Sequence, residues 1–189
     1  MTALRIEIPA KHREVLLPKQ TPSGKPVRWR GLKGGRDSAK SHSAAAMCVA
    51  RGLARKERIA CVREVQKSLA DSVHQLLCDK IIGAGLERHY NIQQNYIEGT
   101  NGTLFSFHGL SNQTATTIKS LEGVTICWIE EAQTVSARSL DILVPTIRAP
   151  GSELWATWNP EMDTDAIDQR LVARTPDDAI VEHVNYTDN

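Results

Sequence analysis

Gly34-Gly35-Arg36-Asp37-Ser38-Ala39-Lys40-Ser41 matches the phosphate-binding pattern G-x-x-x-x-G-K-[ST] at its first, seventh and eighth positions. Ala39 stands where the pattern has its second Gly. The run Arg28 to Leu32 precedes the loop as a strand would, and Ala44 to Ala50 follows it with helical composition. Strand, loop and helix are the context in which backbone N–H groups and a helix dipole hold phosphate oxygens. Nucleoside triphosphate chemistry is therefore implied, with ATP as the expected ligand. Gly34, Gly35, Arg36, Asp37, Ser38 and Ala39 form the cradle. Lys40 reaches the β and γ phosphates, and Ser41 is a ligand for Mg²⁺. A Cβ at Ala39 costs ~1 kcal/mol if the loop needs an unusual φ there. Asp37 repels a triphosphate unless its carboxylate faces solvent or pairs with a neighbour such as Arg36.

Val124 to Ile129 is an unbroken apolar and β-branched run, the mark of a strand buried on both faces, and it ends in Glu130-Glu131. Two acids at such a strand end suit metal and water chemistry. Glu130 is the candidate Mg²⁺-side carboxylate and Glu131 the candidate general base. Between the two motifs, Arg58 to Arg63 reads as a strand, and Glu64 to Ile82 as a helix carrying Val65, Leu69, Val73, Leu76 and Leu77. An α/β fold is expected, a P-loop NTPase of the additional-strand catalytic-glutamate type, with a mainly parallel sheet flanked by helices. Arg58 to Arg63 is read as the additional strand.

Further along, a helix is expected from about Ser136 to Leu143, then a strand from Glu153 to Trp158 that runs into Asn159-Pro160. Ligands of such sheets sit at the carboxyl ends of the strands, which places Thr157 and Asn159 where they can sense a γ-phosphate. His89 to His108 reads as a hairpin turning at Glu98 to Gly102, and Ala179 to Tyr186 as a further strand. Residues 1–26, with Pro9, Pro18, Pro22 and Pro26, read as an extended arm before a single ATPase domain over 27–189. In P-loop ATPases of the kind this chain resembles, such an arm approaches the adenine, which makes Gln20 or Trp29 the expected base contact.

Composition excludes more than it assigns. The formal net charge of +1 carries no global basic field, so any DNA contact must come from local patches such as Lys11-His12-Arg13 or Arg51, Arg55, Lys56 and Arg58. No apolar stretch approaches the ~20 residues of a membrane span, and no signal peptide is legible. A cytosolic protein is expected. Cys48, Cys61, Cys78 and Cys127 are scattered without a C-x-x-C pair and read as buried reduced thiols.

The segments GGRDSAKSH, CWIEEAQTVS and ELWATWNPE, in that order and with VREVQKSLADSV between the first two, resemble the large terminase subunit of tailed bacteriophages and prophages. More narrowly, they resemble the N-terminal ATPase part of the P22/Sf6/PBSX-like branch. The resemblance runs from about Val27 to Asn189; Asp37 and Ala39 are its departures from the usual GGRGSGKS loop. It implies a motor that hydrolyses ATP with Mg²⁺ to drive double-stranded DNA into a procapsid in the host cytoplasm. The partners it implies are the portal protein, the small terminase subunit and further copies of the chain in a ring. It makes Lys40 and Ser41 the Walker A pair, Glu130 the Walker B acid and Glu131 the catalytic glutamate. Thr157 to Asn159 become the motif coupling hydrolysis to movement. Arg36 becomes a γ-phosphate contact, while Lys119 is the candidate cation presented to a neighbouring subunit's ATP, with Arg63 as a second candidate. The nuclease domain of the full-length family is expected to be absent from this chain. A helicase-like DNA-dependent motor, or a degenerate module that holds nucleotide without turnover, remain the alternatives.

Overall fold

The computed structural model describes residues 7–65, 70–111 and 121–188. Its strands are β1 (Trp29–Gly34), β2 (Arg58–Arg63), β3 (Tyr90–Ile92), β4 (Tyr96–Gly99), β5 (Leu104–Gly109), β6 (Ile126–Glu130), β7 (Glu153–Trp158) and β8 (Ala179–Val184). The helices are α1 (Ala10–Leu16), α2 (Lys40–Ala54), α3 (Gln75–Gly83), α4 (Ala137–Thr146) and the short α5 (Ala166–Asp168), which a π-helical turn (Gln169–Ala173) continues.

One sheet carries all eight strands in the order β3-β4-β5-β2-β6-β7-β1-β8. The β3/β4 and β4/β5 pairs are antiparallel and the remaining pairs parallel. Side chains alternate between the faces of a strand, so a strand covered on both sides must be apolar throughout. β6 shows this: Ile126 and Trp128 enter one core with α1, α2 and α3 residues such as Val15, Ala44, Cys48, Leu77 and Ile81. Cys127 and Ile129 enter the other with Leu140, Leu143, Ile167 and Leu171. Every β6 residue is buried.

The additional strand is not the one the sequence order suggests. β7, which comes later in the chain, lies between β1 and β6, whereas Arg58–Arg63 (β2) flanks β6 on its far side. The class of sheet is as expected and the strand that defines it is different. The physical reason is that parallel neighbours need a long crossover, so adjacency in the sheet need not follow order in the chain.

Three local readings also change. The proline-rich start is not wholly extended: Ala10–Leu16 forms α1 and buries His12, Val15 and Leu16, with Pro9 immediately before it. Proline needs no N–H at a helix start, so it brackets the helix rather than forbidding it. The long helix from Glu64 is shorter; α3 begins at Gln75 after a π-helical turn (Ala70–His74), and Leu69 lies outside the described residues. Glu64 instead accepts hydrogen bonds from the Ser136 N–H (3.3 Å) and Ser139 Oγ (3.1 Å) at the start of α4. The His89 to His108 hairpin gains β3 as a third strand.

All four cysteines are free and buried. Burial pushes the Cys127 thiol up to about 12 and raises those of Cys48, Cys61 and Cys78. Thiolates are the reactive form, so an aromatic disulfide reagent is expected to label no cysteine at neutral pH until the protein is unfolded. Rapid labelling of the native chain would contradict the packing of both cores.

Candidate active site

The carboxyl ends of β1, β6 and β7 open into a cleft of about 810 Å³. Arg36, Asp37, Ser38, Ala39, Lys40 and Ser41 line it from the loop between β1 and α2; Arg63, Glu130, Glu131, Thr157 and Asn159 line it from the other strand ends. The structure thus brings into one place every candidate phosphate-binding, metal-binding and catalytic residue except three. Gly34 and Gly35 form the loop's base and offer their carbonyls to Lys40 instead of lining the cleft. Lys119 lies outside the described residues.

The loop between β1 and α2 turns at the cost of local strain. Asp37 (φ 61°) and Ala39 (φ 54°) are left-handed. That conformation costs a residue with a Cβ roughly 1–2 kcal/mol, although Asp tolerates it better than Ala. Ala39→Gly is therefore expected to stabilise the fold by ~1 kcal/mol. Chemical denaturation checks this; an unchanged or lowered midpoint would contradict it. Gly34 cannot be exchanged in the same way, because a Cβ built there would stand 1.7 Å from the carbonyl oxygen of Val184 on β8.

Lys40 sits at the first position of α2 and is 7% exposed. Its ammonium donates to the carbonyls of Gly34 (3.0 Å) and Gly35 (2.6 Å), to Ser38 Oγ (2.8 Å) and to Asn159 Oδ1 (2.9 Å). These four partners are neutral, so among the described residues the cation is desolvated without a bonded anion. Burial lowers its pKa, with Glu130 acting in the opposite sense. Such a charge is strongly receptive to phosphate.

Ser41 Oγ donates to Glu130 Oε1 at 2.9 Å. A hydroxyl beside a carboxylate suits Mg²⁺, which takes few protein oxygens and completes its octahedron with water and phosphate. The other Glu130 oxygen accepts from Arg63 Nε at 2.5 Å and also meets Arg63 Nη2, which lies 3.4 Å from Glu131. Arg63 therefore belongs to the chain's own site. Its place in the sequence, at the end of a predicted strand, was the signal available. Removing it would leave a buried carboxylate unpaired, so Arg63→Met is expected to destabilise the protein by ~3 kcal/mol. A change below ~1 kcal/mol in thermal unfolding would show the pair to be dispensable.

Burial raises the Glu130 pKa; Arg63 and the Ser41 bond hold it down, and Glu131 adds to the rise. Between the ordinary carboxylate value of about 4.3 and the raised folded value, the folded state keeps a proton that the unfolded chain has lost. The contribution to stability is present below the ordinary value and is lost as pH rises through the folded one. A metal ion bound at Glu130 would compete with that proton. Mg²⁺-dependent nucleotide affinity is thus expected to strengthen as pH rises through this window, which calorimetry over a pH series would measure.

Glu131, by contrast, is half exposed and itself left-handed (φ 49°), a strained backbone of the kind that holds a reactive side chain at a strand end. Thr157 is 2% exposed and its hydroxyl already accepts the Trp128 Nε1–H at 2.9 Å. Asn159 is the more accessible of the two candidate sensors. The base-contact expectation fails for Trp29, which is 4% exposed within a core, and Gln20 does not line the cleft. From the N-terminal segment it is Glu7 and Pro9 that do.

Sheet order, strained loop and paired acids together define a P-loop NTPase fold. The chain belongs to the phage terminase large subunit family, which matches residues 28–189. In structure it is similar to the large terminase of a thermophilic bacteriophage in complex with ATP-gamma-S (TM-score 0.72, 16% identity, 97% of this chain and 46% of that one). It is also similar to the HK97 bacteriophage large terminase (TM-score 0.67, 14% identity, 97% and 40%). The N-terminal domain of the bacteriophage phi29 DNA packaging ATPase is a further match (TM-score 0.54, 16% identity, 70% and 73%). The chain spans about half the length of the large terminases it matches first. No curated protein matches it in sequence. Among the described residues no helix is long and apolar enough to cross a membrane.

Proposed function

We propose that this chain carries the ATPase motor of a viral DNA-packaging terminase, hydrolysing ATP to drive double-stranded DNA into a procapsid. One observation carries the reading: Lys40, Ser41, Glu130, Glu131 and Asn159 converge from separate elements on one cleft at the carboxyl ends of β1, β6 and β7. ATP and Mg²⁺ would supply the phosphoryl group and the cation that neutralises its charge in transfer. Lys40 would exchange its carbonyl partners for β and γ phosphate oxygens, with the N–H groups of Arg36 to Ser41 around them. Ser41 and Glu130 would hold the metal. Glu131 would orient and deprotonate the attacking water, while Arg36 and Asn159 would contact the γ-phosphate. Lys119 remains the candidate cation for a neighbouring subunit's ATP, which implies a homo-oligomeric ring.

Portal protein, procapsid and small terminase subunit are the corresponding partners, the host cytoplasm the location, and the P22/Sf6/PBSX-like branch the proposed lineage. A phosphate-release assay with Mg²⁺-ATP, repeated with double-stranded DNA and procapsids, tests this reading. Stimulation by both is expected. Stimulation by DNA with no response to procapsids would favour a helicase-like motor instead. The left-handed Asp37 and Ala39 favour a second reading, a module that binds nucleotide without turnover. Binding with no turnover in the wild type and in Ala39→Gly, even with DNA and procapsids, would support it.

A further inference from the structure

Asp168 lies on α5, beyond Asn159-Pro160, yet its carboxylate returns to the sheet. One oxygen accepts from Lys33 Nζ at 2.6 Å and the other from Trp158 Nε1 at 2.8 Å, and the residue is 3% exposed. Lys33 and Trp158 are register partners at the last paired position of β1 and β7. The residues that follow them are Gly34 and Asn159. On the cleft side Lys40 joins the same two strand ends, donating to the Gly34 carbonyl at 3.0 Å and to Asn159 Oδ1 at 2.9 Å. Two polar cross-links therefore span one pair of strand ends, and only the Lys40 link competes with phosphate.

We propose that Asp168 is a positioning residue that keeps Asn159 in register with the phosphate loop once nucleotide draws Lys40 away. It thereby ties the α5 segment to the occupancy of the cleft. The proposal rests on the ATPase reading for its consequence in turnover, and on geometry alone for the linkage. Lys33 is a largely buried cation facing a buried carboxylate, so removing either charge leaves the other uncompensated. The strand ends, rather than α5 alone, should then loosen.

Asp168→Asn keeps the side chain's shape and an acceptor for Trp158 while removing the charge opposite Lys33; Lys33→Met removes the other end. Both variants are expected to speed amide hydrogen exchange at residues 34–38 and 159–165 together, modestly in the nucleotide-free protein, where Lys40 still spans the strand ends, and more strongly with Mg²⁺ and ATP-gamma-S bound, with β2 and β6 unchanged. Mg²⁺-ATP affinity should stay within about twofold while turnover falls about tenfold, and the double variant should be no worse than either single one. Faster exchange confined to residues 166–173, with turnover intact, would overturn the proposal. Should the wild type bind no nucleotide, the ATPase reading fails, and the exchange arm still decides whether Asp168 links the two strand ends.

Discussion

Replacing Glu131 with Gln is expected to lower ATP turnover ~10³-fold while leaving Mg²⁺-ATP affinity nearly unchanged. The substitution keeps the size and polarity of the side chain, so the left-handed backbone at residue 131 and the 3₁₀ turn that follows it (Ala132–Thr134) have no reason to move. Only the capacity to take a proton is lost. The Glu131 side chain is 47% exposed, and its contact with Arg63 at 3.4 Å is long, so it contributes little to holding the site together. A general base at this position would act on the water and not on the bound nucleotide, and its removal should appear in kcat rather than KM. Steady-state phosphate release compared with calorimetric binding would separate the two. Equal loss of affinity and turnover would place Glu131 in the structure of the site and not in its chemistry.

Lys40→Ala should have the opposite signature, a loss of Mg²⁺-ATP affinity of at least ~100-fold, because hydrogen bonds to a charged group contribute about 1.5–3 kcal/mol each. The fold should tolerate the change. The ammonium is desolvated among neutral acceptors, so deleting it removes an unfavourable burial as well as four hydrogen bonds, and Gly35 lies open to replacement water. A stability change of about 1 kcal/mol or less is expected. Retained affinity in this variant would mean that phosphate is held elsewhere. Collapse of the fold would mean that the lysine is chiefly a structural tie between β1 and β7.

The fold was legible where local chemistry repeats. Buried parallel strands must be apolar on both faces, so Val124 to Ile129 and Glu153 to Trp158 announced β6 and β7, and the loop from Gly34 to Ser41 announced the turn into α2. What stayed hidden depends on long-range adjacency. No local signal says that β7 inserts between β1 and β6, that Glu64 bonds to Ser136 and Ser139 at the start of α4, or that Pro9 precedes a helix whose Val15 and Leu16 complete a core. In the cleft, residue types singled out Lys40, Ser41, Glu130 and Glu131 as candidates, because phosphate, metal and water each demand a particular group, and the four line one cleft. The partners of those residues were not identified. Arg63 on Glu130 and Asn159 on Lys40 are separated from their partners by long stretches of chain, and only the folded sheet brings them together.

The structure of the chain with Mg²⁺ and ATP-gamma-S is the measurement that bears most directly on the central claim. The expected result is a triphosphate over the loop, Lys40 Nζ moved from the Gly34 and Gly35 carbonyls to phosphate oxygens, and a metal ion between Ser41 Oγ and Glu130. Nucleotide bound away from this loop, or Lys40 still on its carbonyls beneath a bound triphosphate, would contradict it.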